Sequence, residues 1–381
     1  MNSKSFLFTC CLFLAFCFHA RAYDFVLDGI YYNLINNGDG GVEVTYQEEY
    51  EPTYIGNLVI PPQIRYNYMD LDVTAIGDKA FAGCVNLWSV SLPDGVKTIG
   101  EEAFAGCEKL SSITLPPALT MIGNYAFNSC LALQSLTIPK SVVDIGYDDT
   151  FSYCPSLSSI TVEEGNPVYD SRSHCNAIIR TANNELLYAS SATIIPTGVT
   201  SLRYGAFANC LVTEIDIPNT VTKIGEPCFV NCVDLASILL SKSITEIPDN
   251  AFNCCYSLKE IDIPSSVTKI GEGAFSDCPS LESVILPKSL ASVGDYAFVG
   301  ASSLQSVTCR STAPCVIPSS CWLSPYASSE ERDLFHENVT LYVPIGASSN
   351  YAFAAGWDVF GNIVETAIPE EVSGIERIDR E

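Results

Sequence analysis

Residues 99–121 read IGEEAFAGCEKLSSITLPPALTM, and Ile122-Gly123 begins the same phrase again. The Ile-Gly pair recurs every 23 residues, at Ile76-Gly77, Ile99-Gly100, Ile122-Gly123 and Ile145-Gly146. The same step carries Ile224-Gly225, Ile247-Pro248, Ile270-Gly271 and Val293-Gly294, while one further coil, at Leu202, falls a residue short. Ala103, Phe104, Cys107, Leu110, Ile113, Leu115 and Leu119 stand in columns filled by like residues in the other copies. A fixed period of this kind marks a repeat array, in which one unit cannot bury its apolar face alone and stacked neighbours can.

Each column has a physical reading. Leu110, Ile113 and Leu115 fit the L-x-x-L-x-L pattern of leucine-rich repeats, and the alternation Ile113-x-Leu115 predicts a short strand with both apolar side chains turned inward. Pro116 cannot donate to a continuing ladder and closes that strand. Gly100 is expected at a sharp corner where positive φ costs little. Ala103 and Phe104 are expected in a short helical turn, with the phenyl ring in the core. Stacked coils then pair in parallel at about 4.8 Å. Phe81, Phe104, Phe127, Phe151, Phe207, Phe229, Phe252, Phe275 and Phe298 become one continuous buried column. The predicted fold is an α/β repeat: a right-handed leucine-rich-repeat solenoid with parallel β-sheet. It has about nine regular 23-residue coils and one irregular coil, and is capped at both ends.

Departures from the frame set the boundaries. Residues 23–75 read as an N-terminal β cap with a first partial coil, in which about nine residues are inserted after Pro61 as a loop or hairpin. Regular repeats span 76–162 and 202–308. Between them, residues 163–201 lose the frame, and Ala177-Ile178-Ile179 and Leu186-Leu187-Tyr188 flank Asn183-Asn184 as two strands of a hairpin-like coil. Residues 309–366 form a different closing unit, and 367–381 are a mostly polar tail.

The chain of 381 residues is too long for one ordinary globular core. Lys4, the apolar run from Phe6 to Phe18, and Ala20-Arg21-Ala22 read as a signal peptide over residues 1–22, cleaved after Ala22. Phe16 is too bulky to precede a lipidated Cys17. No later segment approaches the roughly 20 apolar residues of a membrane span. The mature chain is expected to be secreted or at the cell surface, without membrane insertion. The formal charge of −25 repels phosphate backbones, so no nucleic acid is expected as partner.

Seventeen cysteines less three in the signal segment leave fourteen. Cys84, Cys107, Cys130, Cys154, Cys210, Cys232, Cys255 and Cys278 share one column, which the ninth coil fills with Ala301. Rungs about 4.8 Å apart hold equivalent Cβ atoms too far apart for a disulfide, so these are read as buried thiols acting as small apolar fillers. Cys309, Cys315 and Cys321 lie outside the array, where a disulfide between two of them stays open. No cofactor or metal site is expected, since nothing pairs these cysteines in zinc spacing. His174 and His336 are the only mature histidines, and no H-E-x-x-H, G-x-S-x-G or phosphate loop occurs. An enzyme is not expected.

Binding on a solenoid uses equivalent positions of successive coils. The outward strand residues are Ser89 and Ser91, Ser112 and Thr114, Ser135 and Thr137, Ser159 and Thr161 in the first half. In the second they are Glu214 and Asp216, Ser237 and Leu239, Glu260 and Asp262, Ser283 and Ile285. Hydroxyls thus give way to carboxylates with apolar neighbours. The plain reading is side-chain ladders that suit exposed strands. The sharper one is a partner-binding face at Ser112, Thr114, Ser135, Thr137, Glu214, Asp216, Leu239, Glu260, Asp262 and Ile285, whose acidic half takes a basic protein segment.

The frame I-G-x-x-A-F-x-x-C-x-x-L-x-x-V-x-L-P resembles the BspA-type leucine-rich repeat of bacterial surface proteins. The resemblance extends from Tyr23-Asp24-Phe25, through Tyr169-Asp170-Ser171 and Cys175-Asn176-Ala177-Ile178-Ile179, to Leu341-Tyr342-Val343-Pro344 and Trp357…Phe360. It implies an exported solenoid, and some members of the family attach to host matrix proteins or other cells. The expected function is therefore non-catalytic binding of a host or neighbouring-cell protein. A structural or self-associating spacer and a glycan-binding module are the alternatives.

Overall fold

A computed structural model describes residues 22–368 apart from 36–39, 49–52 and 148. The signal segment through residue 21 and the tail from 369 lie outside the described residues. Each regular coil lays down two short strands. The first strands include Leu87–Ser91, Ser112–Ile113, Ser135–Ile138, Ser159–Val162, Glu214–Asp216, Ser237–Leu239, Glu260–Asp262 and Ser283–Leu286. The second strands include Thr98–Ile99, Met121–Ile122, Asp144–Ile145, Lys223–Ile224, Glu246–Ile247 and Lys269–Ile270. Like strands pair in parallel, with Leu136 opposite Ile160 and Ile122 opposite Ile145, so the sequence period becomes the ladder register. Alternation decides which side is buried: Ile113, Leu136, Ile215 and Ile261 turn inward while their neighbours face out.

The corner carrying Ala-Phe is not a helix. The amides of the column Phe residues other than Phe151 donate to a carbonyl of the next coil, Phe81 to Ala103 at 2.7 Å, Phe104 to Ala126 at 2.8 Å and Phe252 to Ala274 at 2.8 Å. A helix would spend those donors within the coil; here they bind coil to coil. Among the described residues α-helix occurs only in the C-terminal closing unit, as α1 (Ser329–Asn338) and α2 (Ser348–Ala352).

The corner glycines do another job than expected. Gly100 and Gly123 are not among the residues with positive φ; that conformation falls at Glu102, Tyr125, Gly106 and Ser129. The glycine column exists because coils touch there. A Cβ on Gly123 would stand 2.6 Å from Glu101 N and 2.6 Å from Gly100 C.

The phenyl rings stack. Centroids are 4.9 Å apart for Phe81 and Phe104, 5.2 Å for Phe104 and Phe127, and 5.1 Å for Phe252 and Phe275. Tyr54 extends the stack at the N-terminal end and Trp322 at the C-terminal end. The column is not continuous, however. Tyr169–Asp170, Ala177–Arg180 and Glu185–Ala189 form an antiparallel sheet across the array. Ile178, Leu187 and Tyr188 pack into the core that holds Phe104 and Phe127. Ala177, Ile179, Leu186 and Ala189 pack into the core that holds Phe252. The irregular coil is thus a two-faced partition, and the single column expected from the period is two columns of like construction.

The ends are closed differently. At the N-terminus Phe25–Leu27, Ile30–Leu34 and Val42–Thr45 form an antiparallel meander that joins the second ladder through Met69–Ile76. The insertion after Pro61 is a hairpin of Gln63–Tyr66 on Met69–Ile76, turned by Asn67 and Tyr68, both at positive φ as a type I′ turn requires. At the C-terminus Thr340–Pro344 and Asn362–Thr366 continue the first ladder, and Trp322, Trp357, Tyr351 and Phe360 seal its core.

All fourteen cysteines of the described chain are free thiols, including Cys309, Cys315 and Cys321. The column cysteines are more than apolar fillers. Cys107, Cys130, Cys154, Cys232, Cys255 and Cys278 each donate to the carbonyl of the Phe one coil back, at 3.1 to 3.3 Å. Burial pushes these thiols up, to about 12 for Cys154 and Cys278, and Cys315 to about 11. The thiolate is the nucleophile. At pH 8 the folded chain is therefore expected to leave the column cysteines unalkylated, while denaturation without reductant exposes fourteen reactive thiols. Intact mass after iodoacetamide treatment checks this, and a denatured count below fourteen contradicts it.

Candidate interaction surface

The outward face of the first ladder is built by register. Ser135 stands beside Ser159, Glu214 beside Ser237, and Glu260 beside Ser283 in one column. Thr137 stands beside Thr161, Asp216 beside Leu239, and Asp262 beside Ile285 in the other. Ser112, Thr114, Ser135, Thr137, Glu214, Asp216, Leu239, Glu260 and Asp262 are exposed, and Ile285 is half-buried. All ten residues singled out in the sequence therefore lie on one type of face, facing solvent, in two runs separated by the irregular coil.

The two halves differ chemically. In the first, hydroxyls meet each other: Thr137 Oγ1 lies 3.2 Å from Thr161 Oγ1. In the second, Glu214, Asp216 and Glu260 form no ion pair among the described residues, whereas Asp262 is held. Arg310 places a two-pronged hydrogen bond on it, Nη1 to Oδ1 at 2.7 Å and Nη2 to Oδ2 at 3.3 Å. Sequence reasoning missed Arg310. It lies 48 residues from Asp262, and only the register that sets Asp262 beside Ile285 and Ile285 beside Thr308 brings the two together. The columns also run further than the repeats do. Ser306, Thr340 and Asn362 continue one, and Thr308, Tyr342 and Val364 continue the other.

At the other end of the face, Trp88 and Val59 are exposed on neighbouring strands, and Ser89 Oγ donates to Asn57 Oδ1 at 2.8 Å. Among the described residues no three His, Cys, Asp or Glu side chains are grouped to hold a metal ion. No helix among them is long and apolar enough to cross a membrane.

Parallel ladders of 23-residue coils with inward leucine, isoleucine and phenylalanine columns define a leucine-rich-repeat solenoid. The chain belongs to the BspA-type leucine-rich repeat family, whose pattern matches it in six copies over residues 74–185 and 200–321, more than half its length. Among solved structures, the pneumococcal vaccine antigen PcpA matches with a TM-score of 0.61 at 19% identity, over 90% of this chain and 98% of that one, which is a likeness of fold. A leucine-rich cell surface protein of Faecalibacterium prausnitzii matches at 24% identity over 81% of this chain and 96% of that one, with a TM-score of 0.46. A leucine-rich repeat protein of Bacteroides ovatus matches at 27% identity over 75% and 94%, with a TM-score of 0.32. No curated protein matches the chain.

Proposed function

We propose that this chain is an exported surface protein that binds a protein partner along the outward face of its first ladder, and that the acidic half of that face takes a basic segment. The observation that carries this reading is the row Glu214, Asp216, Glu260. These carboxylates are exposed, repeat at equivalent places on a rigid ladder, and have no cation of their own chain within ion-pair distance among the described residues. Complementary charge steers association and fixes register more than it adds affinity. Leu239 sits between the carboxylate rungs and Ile285 lies beside the last of them, and both supply apolar contact. Membership of the BspA-type leucine-rich repeat family supports the surface setting, and the signal segment supports export.

The test uses the mature chain from Tyr23 to retain proteins from a matrix preparation, alongside a glycan array. The expected result is capture of a protein with a basic segment, weakened as salt rises because exposed pairs are screened. Glu214→Ser with Asp216→Ser and Glu260→Ser is expected to lower that capture at least tenfold with no change in melting. Asp262 is left intact so that Arg310 keeps its partner. Capture that survives the triple change, or no capture at all, rejects the acidic face and favours a spacer.

A further inference from the structure

One coil carries a charged residue in its glycine column. Where the nearest regular coils have Gly146 and Gly225, it has Arg203, next to the partition between the two cores. Arg203 is 7% exposed. Its guanidinium lies 4.6 Å from the ring centre of Tyr188 and 5.4 Å from that of Tyr147. Nε donates to the Tyr204 carbonyl at 3.2 Å, and Nη2 donates to the Tyr147 carbonyl. All four partners are neutral. No carboxylate among the described residues pairs with it, and Nη1 meets no acceptor among them.

Arg203 faces a cleft of about 480 Å³ on the second ladder, away from the acidic face. The volume lies in the range of about 300–1,000 Å³ usual for small-ligand sites. Arg203 lines it with Tyr204, Lys223, Glu226, Glu246 and Ser201. Tyr204 is 55% exposed at its wall. Lys223, Glu226 and Glu246 form no ion pair among the described residues, while Glu185 at the rim is engaged by Arg180 at 3.5 Å.

A clamp between the two halves would not need this chemistry. An apolar side chain could fill the place of Arg203 without the cost of burying a charge that has no counter-ion among the described residues. It would not need an open cleft of unpaired polar groups beside it either. A guanidinium facing such a cleft suits a carboxylate, which it grips with parallel hydrogen bonds. The flanking Glu226 and Glu246 disfavour a doubly charged phosphate, yet they accept well from hydroxyls. An exposed tyrosine face suits an apolar ring surface. A bare anion would leave the ring and the acceptors unused, and a neutral sugar would leave Arg203 uncompensated.

We propose that this cleft binds a carboxylate-bearing sugar, with its carboxylate on Arg203, its hydroxyls on Glu226, Glu246 and Ser201, and its ring against Tyr204. The net charge of the chain does not forbid this, because charges beyond about 8 Å are screened at physiological salt.

The test titrates the mature chain with glucuronate, galacturonate and N-acetylneuraminate by calorimetry and saturation-transfer NMR, with glucose and acetate as controls. At least one acidic sugar is expected to bind saturably, with glucose and acetate each at least about tenfold weaker. Arg203→Met is expected to lose that binding. Because Arg203 also braces the junction, Tyr204→Ala serves as the second variant; it keeps the carbonyl that Arg203 uses and is expected to weaken binding at least tenfold with melting unchanged. The proposal is overturned if no acidic sugar binds at millimolar concentration, if glucose or acetate binds as well, or if Tyr204→Ala binds like the parent chain.

Discussion

Phe127→Ala is expected to cost about 3–5 kcal/mol, the range for truncating a fully buried phenylalanine. Phe127 is wholly enclosed, and its ring is stacked between Phe104 at 5.2 Å and Phe151 at 5.7 Å. Removing it opens a cavity that neither neighbour can fill, because Phe104 is fixed by its amide bond to the next coil and its stack on Phe81, and Phe151 by its edge-to-face contact with Tyr188. In a repeat array the cost falls first on the interfaces with the adjoining coils. The partition at Ile178, Leu187 and Tyr188 confines it to the N-terminal core, so the core around Phe252 should keep its own transition. Denaturant melts followed by circular dichroism and by hydrogen exchange read both effects. A loss below about 1 kcal/mol would mean that the ring is not held as described. Trp88→Ala, at a residue 55% exposed, is the contrasting change and should stay within about 0.5 kcal/mol.

Gly123→Ala should be nearly as damaging, at about 3 kcal/mol, the upper end for overpacking. The added methyl meets Glu101 N and Gly100 C at 2.6 Å and Gly100 O at 2.8 Å. These are backbone atoms of the coil below, so relief requires the coils to part, and that breaks the amide of Gly123 from the Ile99 carbonyl. Gly95 is the internal control. It has only Val73 O within 4 Å, at 3.9 Å, and no positive φ. Gly95→Ala should therefore be neutral or stabilise by about 0.4–1 kcal/mol through the unfolded chain. If both substitutions behave alike in thermal melts, close coil contact is not the reason for the glycine column.

Side-chain periodicity made much of this fold legible. The inward Leu, Ile and Phe columns, the proline stops and the position of the hairpin-like coil follow from residue type and spacing, because those report which way a side chain faces. Backbone contact between coils does not follow from them. Gly100 looked like a turn residue, whereas the left-handed residue is Glu102 two places on and Gly100 is kept for lack of a Cβ. Cys107 looked like a small filler because its hydrogen bond to the Phe81 carbonyl depends on where the previous coil lies. The outward residues of the candidate face were legible from alternation alone. Arg310 and Arg203 were not, since their partners Asp262 and Tyr147 lie 48 and 56 residues away and meet them only through stacking.

The stacking itself is best tested by nuclear Overhauser contacts between selectively labelled phenylalanine rings in the mature chain. In-register coils predict ring-to-ring contacts along Phe81, Phe104 and Phe127 and again along Phe229, Phe252 and Phe275, with none between Phe127 and Phe252. Rings of successive coils that show no contact with one another would contradict it.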